Sequence, residues 1–260
     1  MRYINDYIQI NKFSDLHNGK TIFFCKTDYI LQDFKTISNI DNEVVLITGN
    51  SDYSITDDIV KLCPVNVIRW YAQNALSHDD RLLPVPMGIE NKNASLREGH
   101  GIGYYDRVTE KENIISTLQD INPIKFIYAN FNVNTNYNYR THILNICNTI
   151  EHIHTEQPVL SLSQFFNRIL EYKMMLCPIG NGIDTHRLWE VLYCGRIPIT
   201  IKVGDFKIYK LYEQLPIIIL NDVDELQNYD ILNTKYDEAI KLSDEILSNS
   251  YWRNLIISNV

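Results

Sequence analysis

The sequence predicts an α/β protein with two Rossmann-like parallel-sheet domains that face each other across a cleft. Strand-like apolar runs alternate with helix-like runs along the 260 residues. This alternation is typical of parallel sheets, because a parallel connection needs a crossover helix. A polar stretch, Gln119–Pro123, divides the series into two halves of normal domain size. We therefore expect an N-terminal domain over 1–120 and a C-terminal domain over 121–260.

The N-terminal series opens with two short apolar runs typical of buried parallel strands, Thr21–Cys25 and Glu43–Thr48. The other N-terminal elements are predicted as helices over Tyr29–Ile37, Thr56–Cys63 (capped by Thr56) and Thr109–Leu118, strands over Asn66–Tyr71 and Leu82–Val85, and a loop over Asn91–Tyr105. Pro84 and Pro86 confine the last of these strands to a sheet edge or to a strand end, because proline cannot donate to a strand ladder.

The C-terminal series repeats the pattern and ends in helices. The predicted strands are Ile124–Ala129, Lys173–Cys177, Ile197–Ile201 and Pro216–Leu220. The predicted helices are Tyr137–Ile150, Leu162–Tyr172 (capped by Ser161), Asp184–Cys194, Asp205–Gln214, Val223–Tyr229 and Lys235–Ile257. We expect the last helix to pack back on the first domain. Ligands of such sheets bind beyond the carboxyl ends of the strands, so a cleft between the domains is the expected site.

Composition excludes several classes of protein. The net charge is −8 and no basic stripe is present, which argues against a nucleic-acid partner. No apolar run approaches the ~20 residues that span a bilayer, and the N-terminus lacks an apolar signal region. The cysteines are odd in number, scattered and without metal-ligand spacing, which predicts reduced thiols and a cytoplasmic location. They are Cys25, Cys63, Cys147, Cys177 and Cys194.

The most informative segment runs from Cys177 to Ile199 and reads as strand end, glycine turn, helix, glycine stop and strand. A glycine turn that opens a helix suits an anion, because backbone N–H groups and the helix dipole both favour negative charge there. Arg187 and Glu190 follow on one helix face. They suit a nucleoside diphosphate, with arginine on phosphate and glutamate on ribose hydroxyls. The alternative is an ordinary surface ion pair.

The run GNGIDTHRLWEVLYCGRIPI, residues 180–199, resembles the nucleotide-sugar motif of exostosin-like (family 47 type) glycosyltransferases. It is most similar to the short soluble forms of large DNA viruses and bacteria. The resemblance covers about residues 40–220. Its supporting stretches are TGNSDY at 48–53, WYAQN at 70–74, PVPMGIE at 84–90, and YANF at 128–131 followed by Thr135, Asn136 and Arg140. One departure is Arg196, where the family usually has a small or apolar residue, and it could alter the pocket rim.

The resemblance implies a GT-B fold and an inverting, metal-independent glycosyltransferase without a cofactor. The donor, a nucleoside-diphosphate sugar such as a UDP-sugar and possibly UDP-xylose, would bind the second domain. The acceptor, a glycan or glycoprotein, would bind mainly the first domain. A viral source would make the location the host cytoplasm. The expected donor-binding residues are Gly180, Asn181, Gly182, Asp184, His186, Arg187, Glu190 and Arg140.

Inversion needs one general base to take the proton of the acceptor hydroxyl. Asp52 is the candidate, because it follows the Glu43–Thr48 strand in a turn that would face the cleft. The alternative is that Asp52 or Asn50 only caps the next helix. Arg140 is the second candidate cation, with a solvated helix arginine as its alternative, and His186 could equally be structural. Further candidate cleft or acceptor residues are Asn50, Ser51, Tyr53, Asn74, Tyr128, Asn130 and Thr135.

Two motifs that suggest metal sites have simpler explanations. Asp222 and Asp224 match a metal-binding DxD pattern, but they open a helix, where acidic capping explains them. His152 and His154 lack a convincing third ligand for zinc. We therefore expect no metal site. The chain also lacks a GxGxxG after the first strand and a GxxxxGK[ST] loop, which disfavours dinucleotide enzymes and P-loop NTPases.

Two other functions remain open from the sequence. One is a GDP-fucose-type fucosyltransferase, which would share the two-domain architecture but prefer guanine nucleotides. The other is a non-catalytic module that binds a nucleotide sugar or a glycan. The presence of candidates for base, phosphate clamp and ribose contact favours an enzyme over such a module.

Overall fold

A computed structural model describes residues 6–90, 104–119 and 121–260. Its strands form two all-parallel sheets, which confirms the predicted fold class. The first sheet contains β1 (Ile22–Lys26), β2 (Val44–Gly49), β3 (Val67–Ala72) and β4 (Leu82–Pro84), in that order. The second contains β5 (Lys125–Ala129), β6 (Ile153–Thr155), β7 (Tyr172–Leu176), β8 (Ile197–Ile201) and β9 (Ile218–Leu220), in the order β6-β5-β7-β8-β9.

Helices connect most of these strands. They are α1 (Ile30–Ile37), α2 (Asp57–Val60), α3 (Tyr104–Thr117), α4 (Tyr137–Cys147), α5 (Leu162–Leu170), α6 (His186–Tyr193), α7 (Ile208–Tyr212), α8 (Tyr229–Ala239) and α9 (Asn249–Ile257). Short 3-10 helices cover Ile10–Leu16, Thr27–Tyr29, Val133–Asn136, Val223–Gln227 and Glu245–Leu247. Among the described residues, no helix is both long and apolar enough to cross a membrane.

Local chemistry explains both the correct and the wrong helix boundaries. Ser161 caps α5 as predicted, and its side chain and that of Gln164 form a reciprocal capping box. Thr56 precedes α2 but makes no side-chain cap bond. The single helix predicted over Lys235–Ile257 is wrong: α8 and α9 are separate, because the Ser248 hydroxyl accepts from Tyr251 N–H and starts a new helix. The loop predicted over Asn91–Tyr105 lies outside the described residues up to residue 103, and α3 begins at Tyr104.

One apolar cluster spans both sheets, and each sheet has a further cluster on its other face. Along β3 the side chains alternate, so Trp70 packs against Phe34 of α1 while Tyr71 points to the opposite face. That opposite face joins a continuous cluster that also contains Tyr128 and Trp189 of the second sheet and its helices. Because apolar contacts between domains oppose relative motion, this shared cluster stabilises the arrangement of the two sheets.

The C-terminal helix contacts the N-terminal segment of the chain. Asn249 N–H donates to the Asp6 carbonyl at 2.9 Å, and Arg253 donates to the Lys12 carbonyl at 3.1 Å. Trp252 and Ile256 are buried in the core shared by both sheets. The last helix is thus held on residues that precede β1, although the domain boundary near residue 120 stays a prediction.

The order of the second sheet determines where a ligand can enter. Counted within that sheet, the order is 2-1-3-4-5, so the direction of winding reverses between β5 and β7. In parallel sheets a crevice opens beyond the carboxyl ends of the strands at this reversal. Asn130 directly follows β5 and Cys177 directly follows β7. We therefore expect a ligand site in the chain beyond these two residues.

Candidate functional site

A cavity of about 420 Å³ lies beyond the carboxyl ends of β5 and β7. The volume falls in the usual range for small-molecule sites. Its second-domain wall contains Asn130, Asn132, Thr135, Arg140, Pro158, Leu160, Leu162, Phe165, Gly180, Asn181, Gly182, Asp184, Thr185, His186, Arg187 and Glu190. Asp52, Met87 and Lys111 line it from the N-terminal half of the chain. Residues far apart in the sequence thus meet at the position that the strand order indicates.

The glycine turn is shaped by neighbouring side chains rather than by open N–H groups. Gly180 N–H donates to the Gly182 carbonyl at 3.1 Å, so at least this N–H is not open, contrary to prediction. A Cβ on Gly182 would lie 2.7 Å from the Asn74 amide. A Cβ on Gly180 would lie 3.1 Å from the Arg140 guanidinium. Glycine is therefore needed because Asn74 and Arg140 approach the backbone closely.

Arg187 faces the cavity as a half-buried cation. Its guanidinium lies over the Phe165 ring, 4.5 Å from the ring centre, and donates to the Asn130 side-chain oxygen at 3.3 Å. No carboxylate of the described residues lies within ion-pair distance of it. Because a guanidinium carries five N–H donors, Arg187 retains most of them for a ligand. The Phe165 ring holds it in place through a cation–π contact.

Arg140 lines the same cavity, but its donors are mostly in use. It donates to the carbonyls of Asn132, Pro178 and Ile179, each at 2.8 Å. Burial, together with the charge of Arg187, lowers the pKa of Arg140 to about 10. Arg140 is therefore not the solvated helix arginine of the alternative. Its main role is to hold the chain that leads into the glycine turn, with a secondary share in the positive potential of the cavity.

Glu190 is buried beside the cavity in an ion-pair network. Its carboxylate lies 2.7 Å from Lys111 Nζ, and Glu90 lies 3.0 Å from the same nitrogen. Lys111 also donates to the Ile89 carbonyl, so all three of its N–H donors are used. Burial would lower the pKa of Lys111, but the attraction of Glu190 and Glu90 raises it overall. Glu190 is thus held as a carboxylate paired with Lys111, and the alternative of a surface ion pair with Arg187 does not apply.

His186 joins this network from the second domain. One ring nitrogen, Nδ1, lies 2.7 Å from the Gly88 carbonyl, and Nε2 lies 3.3 Å from the Glu90 carboxylate. Both contacts connect α6 with the chain that follows β4. His186 lines the cavity, but its ring nitrogens are directed at the first domain.

Asp184 is a structural residue, and its predicted role as a ligand contact is corrected. It is 3% exposed and accepts from Met87 N, Thr185 N, the Trp189 indole and the Tyr212 hydroxyl. Burial raises the pKa of Asp184, and the donors from Met87, Tyr212 and Trp189 act in the opposite direction. With its carboxylate enclosed by these donors, Asp184 joins the start of α6 to the first domain.

Asp52 lies across the cavity from the glycine turn. Its carboxylate is exposed and accepts from the Asn181 side chain at 3.1 Å. The alternative role as a helix cap does not apply, because the residue at the start of α2 is Thr56. Asn50 has a positive φ of 54° and donates its N–H to Gln73, so it shapes the turn that presents Asp52.

The other predicted cleft residues divide into two groups. Asn130 and Thr135 line the cavity. Asn74 is buried, and its side chain donates to the Ser51 carbonyl and accepts from Asp184 N–H. Asn74 and Ser51 therefore connect the two walls, but neither lines the cavity. Tyr53 is 66% exposed and does not line it. Tyr128 is a correction: it is fully buried, stacks on Tyr172 and donates to Glu156, because its position on β5 points into the core.

The remaining sequence expectations concern residues away from the cavity. Asp222 caps the 3-10 helix over Val223–Gln227, as the capping explanation predicts. Arg196 does not alter the pocket rim: it is buried and donates to the carbonyls of Ile121 and Leu170 at the amino end of β8. The described part of the chain holds no cluster of His, Cys, Asp and Glu that could bind a metal. The five cysteines are buried free thiols.

Lys111 and the apolar wall near Phe165 were missed by sequence reasoning. Lys111 lies between Glu110 and Glu112, a pattern typical of a solvated helix face, so its burial could not be read from its neighbours. Phe165 belongs to an apolar helix face that predicts core packing equally well. The proline and leucine at 158 and 160 carry no local signal of a binding site.

Comparison with known proteins gives limited similarity. No family model matches the chain. No curated protein matches it. Among solved structures it is similar to a crystal structure of alpha1,3-fucosyltransferase, with 13% identity over 86% of this chain and 70% of that chain and a TM-score of 0.42. A crystal structure of alpha1,3-fucosyltransferase with GDP-fucose gives 12% identity, 85% and 81% coverage, and a TM-score of 0.39.

Proposed function

We propose that the protein is a glycosyltransferase that moves a sugar from a nucleoside-diphosphate sugar to a hydroxyl of a glycan acceptor. The observation that carries the proposal is one cavity in which Arg187 and Asp52 face each other from the two halves of the chain. Arg187 is a cation with free N–H donors, and it lies beside the glycine turn that follows the parallel strand β7. Asp52 is an exposed carboxylate on the opposite wall, where an acceptor could reach it.

The residues present suit an inverting displacement. The oxygen of the acceptor hydroxyl attacks the anomeric carbon of the donor, and the bond from that carbon to the diphosphate oxygen breaks. The hydroxyl proton passes to Asp52, which acts as general base. The electron pair of the broken bond leaves with the nucleoside diphosphate, whose charge Arg187 stabilises by preorganised hydrogen bonds. Glu190, held by Lys111, is the proposed contact of the ribose hydroxyls.

The donor proposal is a UDP-sugar, and UDP-xylose rests only on the resemblance of residues 180–199 to exostosin-like enzymes. A GDP-fucose-type transferase is the second candidate, because the same cavity geometry would serve a guanine nucleotide. Thermal-shift titration with UDP and with GDP separates the two. A larger stabilisation by GDP would replace the UDP proposal, since, of two ligands that bind only the folded state at equal concentration, the tighter one raises stability more.

The donor half of the proposal is tested by Arg187→Ala. Loss of charge-assisted hydrogen bonds to the diphosphate should weaken binding of UDP or GDP by about ten- to a hundredfold. Arg168→Ala is the matched control, because Arg168 is also a partly exposed arginine on a nearby helix but does not line the cavity. Equal nucleotide affinity in the two variants, measured by calorimetry, would remove Arg187 from the donor site.

The catalytic half is tested by Asp52→Asn in the presence of EDTA. The amide cannot accept the acceptor proton, so transfer should fall by about a hundredfold or more while nucleotide affinity stays within twofold. Release of nucleoside diphosphate from candidate donors, with and without glycan acceptors, is the measurement. Full turnover in Asp52→Asn would exclude it as the base, and a requirement for Mn²⁺ would contradict the metal-independent mechanism. Nucleotide binding without turnover under all conditions would favour the non-catalytic module.

A further inference from the structure

A second cavity lies on another part of the molecule and shares no lining residue with the first. Its volume is about 360 Å³, and it is enclosed by β3 and β4 of the first sheet, α7 of the second domain and the C-terminal helix α9. Aromatic and aliphatic side chains form most of its wall, among them Tyr71, Trp252, Leu211 and Leu255. Such a wall favours a ligand with an apolar body.

The Tyr71 hydroxyl is a polar group in the wall of this cavity. Tyr71 is 1% exposed, and its hydroxyl makes no hydrogen bond with the described residues. The hydroxyl oxygen is also not among the fully enclosed polar atoms of those residues that lack a partner, so it is open to the cavity. A buried hydroxyl is normally hydrogen bonded, so this one is available to a bound molecule. Burial raises the pKa of Tyr71, which keeps the phenol protonated and able to donate. The hydroxyl of Tyr251, a second phenol in the wall, is close enough to influence it.

Two cations without an ion-pair partner among the described residues, one in the wall and one nearby, accompany this cavity, although the whole chain carries a net charge of −8. Lys210 lines the cavity and is exposed. Arg69 precedes Tyr71 by two residues on β3, so it lies on the same face of the sheet, and its charge acts on the Tyr71 phenol. No carboxylate in the described ranges lies within ion-pair distance of Lys210 or Arg69. An anion would therefore find complementary charge at this cavity.

We propose that this cavity binds a small amphipathic carboxylate, with its apolar body against Trp252, Leu211 and Leu255 and its carboxylate at the Tyr71 hydroxyl and Lys210 ammonium. The wall supplies the free energy of burial, and the two donors select an anion over a neutral molecule of the same shape. Lys207, another lysine of the wall, is a poor contributor, because its ammonium already donates to the carbonyls of Asp79 and Leu82. The site is independent of the proposed glycosyltransferase activity.

Octanoate and 1-octanol form a matched pair of probes, because they share the apolar chain and differ in charge at neutral pH. Calorimetric titration of the full chain should show saturable octanoate binding with a dissociation constant below about 1 mM. Octanol should bind at least several times more weakly. Absence of saturable octanoate binding, or equal affinity for the two probes, would overturn the proposal.

Conservative variants locate the binding. Lys210→Gln should weaken octanoate about tenfold and Tyr71→Phe about threefold or more, with octanol affinity unchanged in both. Lys241→Gln is the control, because Lys241 is an exposed lysine outside this wall. Leu255→Trp, which fills the cavity, should abolish binding of both probes. Unaltered octanoate affinity in both Lys210→Gln and Tyr71→Phe would contradict the assignment, whether or not Leu255→Trp folds.

Discussion

Lys111 shows how a single residue can decide the chemistry of its neighbours. Its ammonium is buried between Glu90, which follows the first sheet, and Glu190, which belongs to α6. A buried carboxylate without a partner is strongly unfavourable, so one lysine stabilises two acidic groups that would otherwise repel each other. Arg140 and Arg187 likewise have identical side chains but different roles. Three backbone carbonyls accept from Arg140, which leaves Arg187 as the arginine with donors for a ligand.

Lys111→Met should therefore destabilise the fold and weaken nucleotide binding together. Two buried carboxylates would lose their shared cation, and we expect a loss of about 3–5 kcal/mol in the free energy of unfolding. Adding Glu90→Gln to this variant should recover part of that loss, because one of the two unpaired charges is removed. Urea unfolding measures both effects. A double variant no more stable than Lys111→Met would show that charge pairing is not the cause.

The glycine turn before α6 is the element on which the cavity depends. Its conformation follows from close packing, because the Asn74 amide occupies the space that a Cβ on Gly182 would need. The helix that follows presents Arg187 to the cavity while Leu188, Trp189 and Val191 are buried. The element thus combines a turn shaped by the first domain with a helix anchored in the shared core.

Gly182→Ala should destabilise the protein by about 1–3 kcal/mol, because either the turn or Asn74 must shift. Asn74→Gly removes the obstructing side chain and tolerates the positive φ at that position. In the double variant the two losses should be less than additive. A double-mutant cycle of unfolding free energies is the measurement, and simple additivity would show that the contact between the two residues does not cause the loss.

At the scale of the whole molecule, the two parallel sheets form one body because polar and apolar contacts cross between them. Asp184 accepts from Met87 of the first domain and from Trp189 and Tyr212 of the second. Tyr193 accepts from Ile8 N–H and donates to the Leu247 carbonyl, which links α6 to both ends of the chain. The two walls of the cavity are therefore joined by direct contacts.

Asp184→Asn should cost about 3 kcal/mol or more, because the new amide N–H₂ would face donors and leave at least one of them unpaired. Asp205→Asn is the control, since this carboxylate has an 84% exposed side chain and only a surface ion pair with Lys202. We expect the control to change stability by less than about 0.5 kcal/mol. Equal unfolding midpoints for the two variants in urea would contradict the inter-domain role of Asp184.

Several features could be predicted from the sequence because they depend on short-range patterns. The alternation of apolar strands with helices predicts two parallel sheets, and both are present. The sequence predicts Ser161 and Asp222 as helix caps, and both are, since a cap needs only the residues of the first helical turn. Asp52 and Arg187 were expected at a cleft because both follow parallel strands, and both line the same cavity.

Other features depended on the tertiary structure alone. Neither the burial of Lys111 among acidic neighbours nor the use of Arg140 and Asp184 as structural residues has a local signature. The sequence predicts Tyr128 as a cleft residue, but its side chain is buried in the core, since a β-strand directs successive side chains to opposite faces. By itself, the sequence determined which elements form and where the polar turns lie. Which polar groups remain free for a ligand was decided only by the fold, because hydrogen-bond partners and burial come from residues distant in the chain.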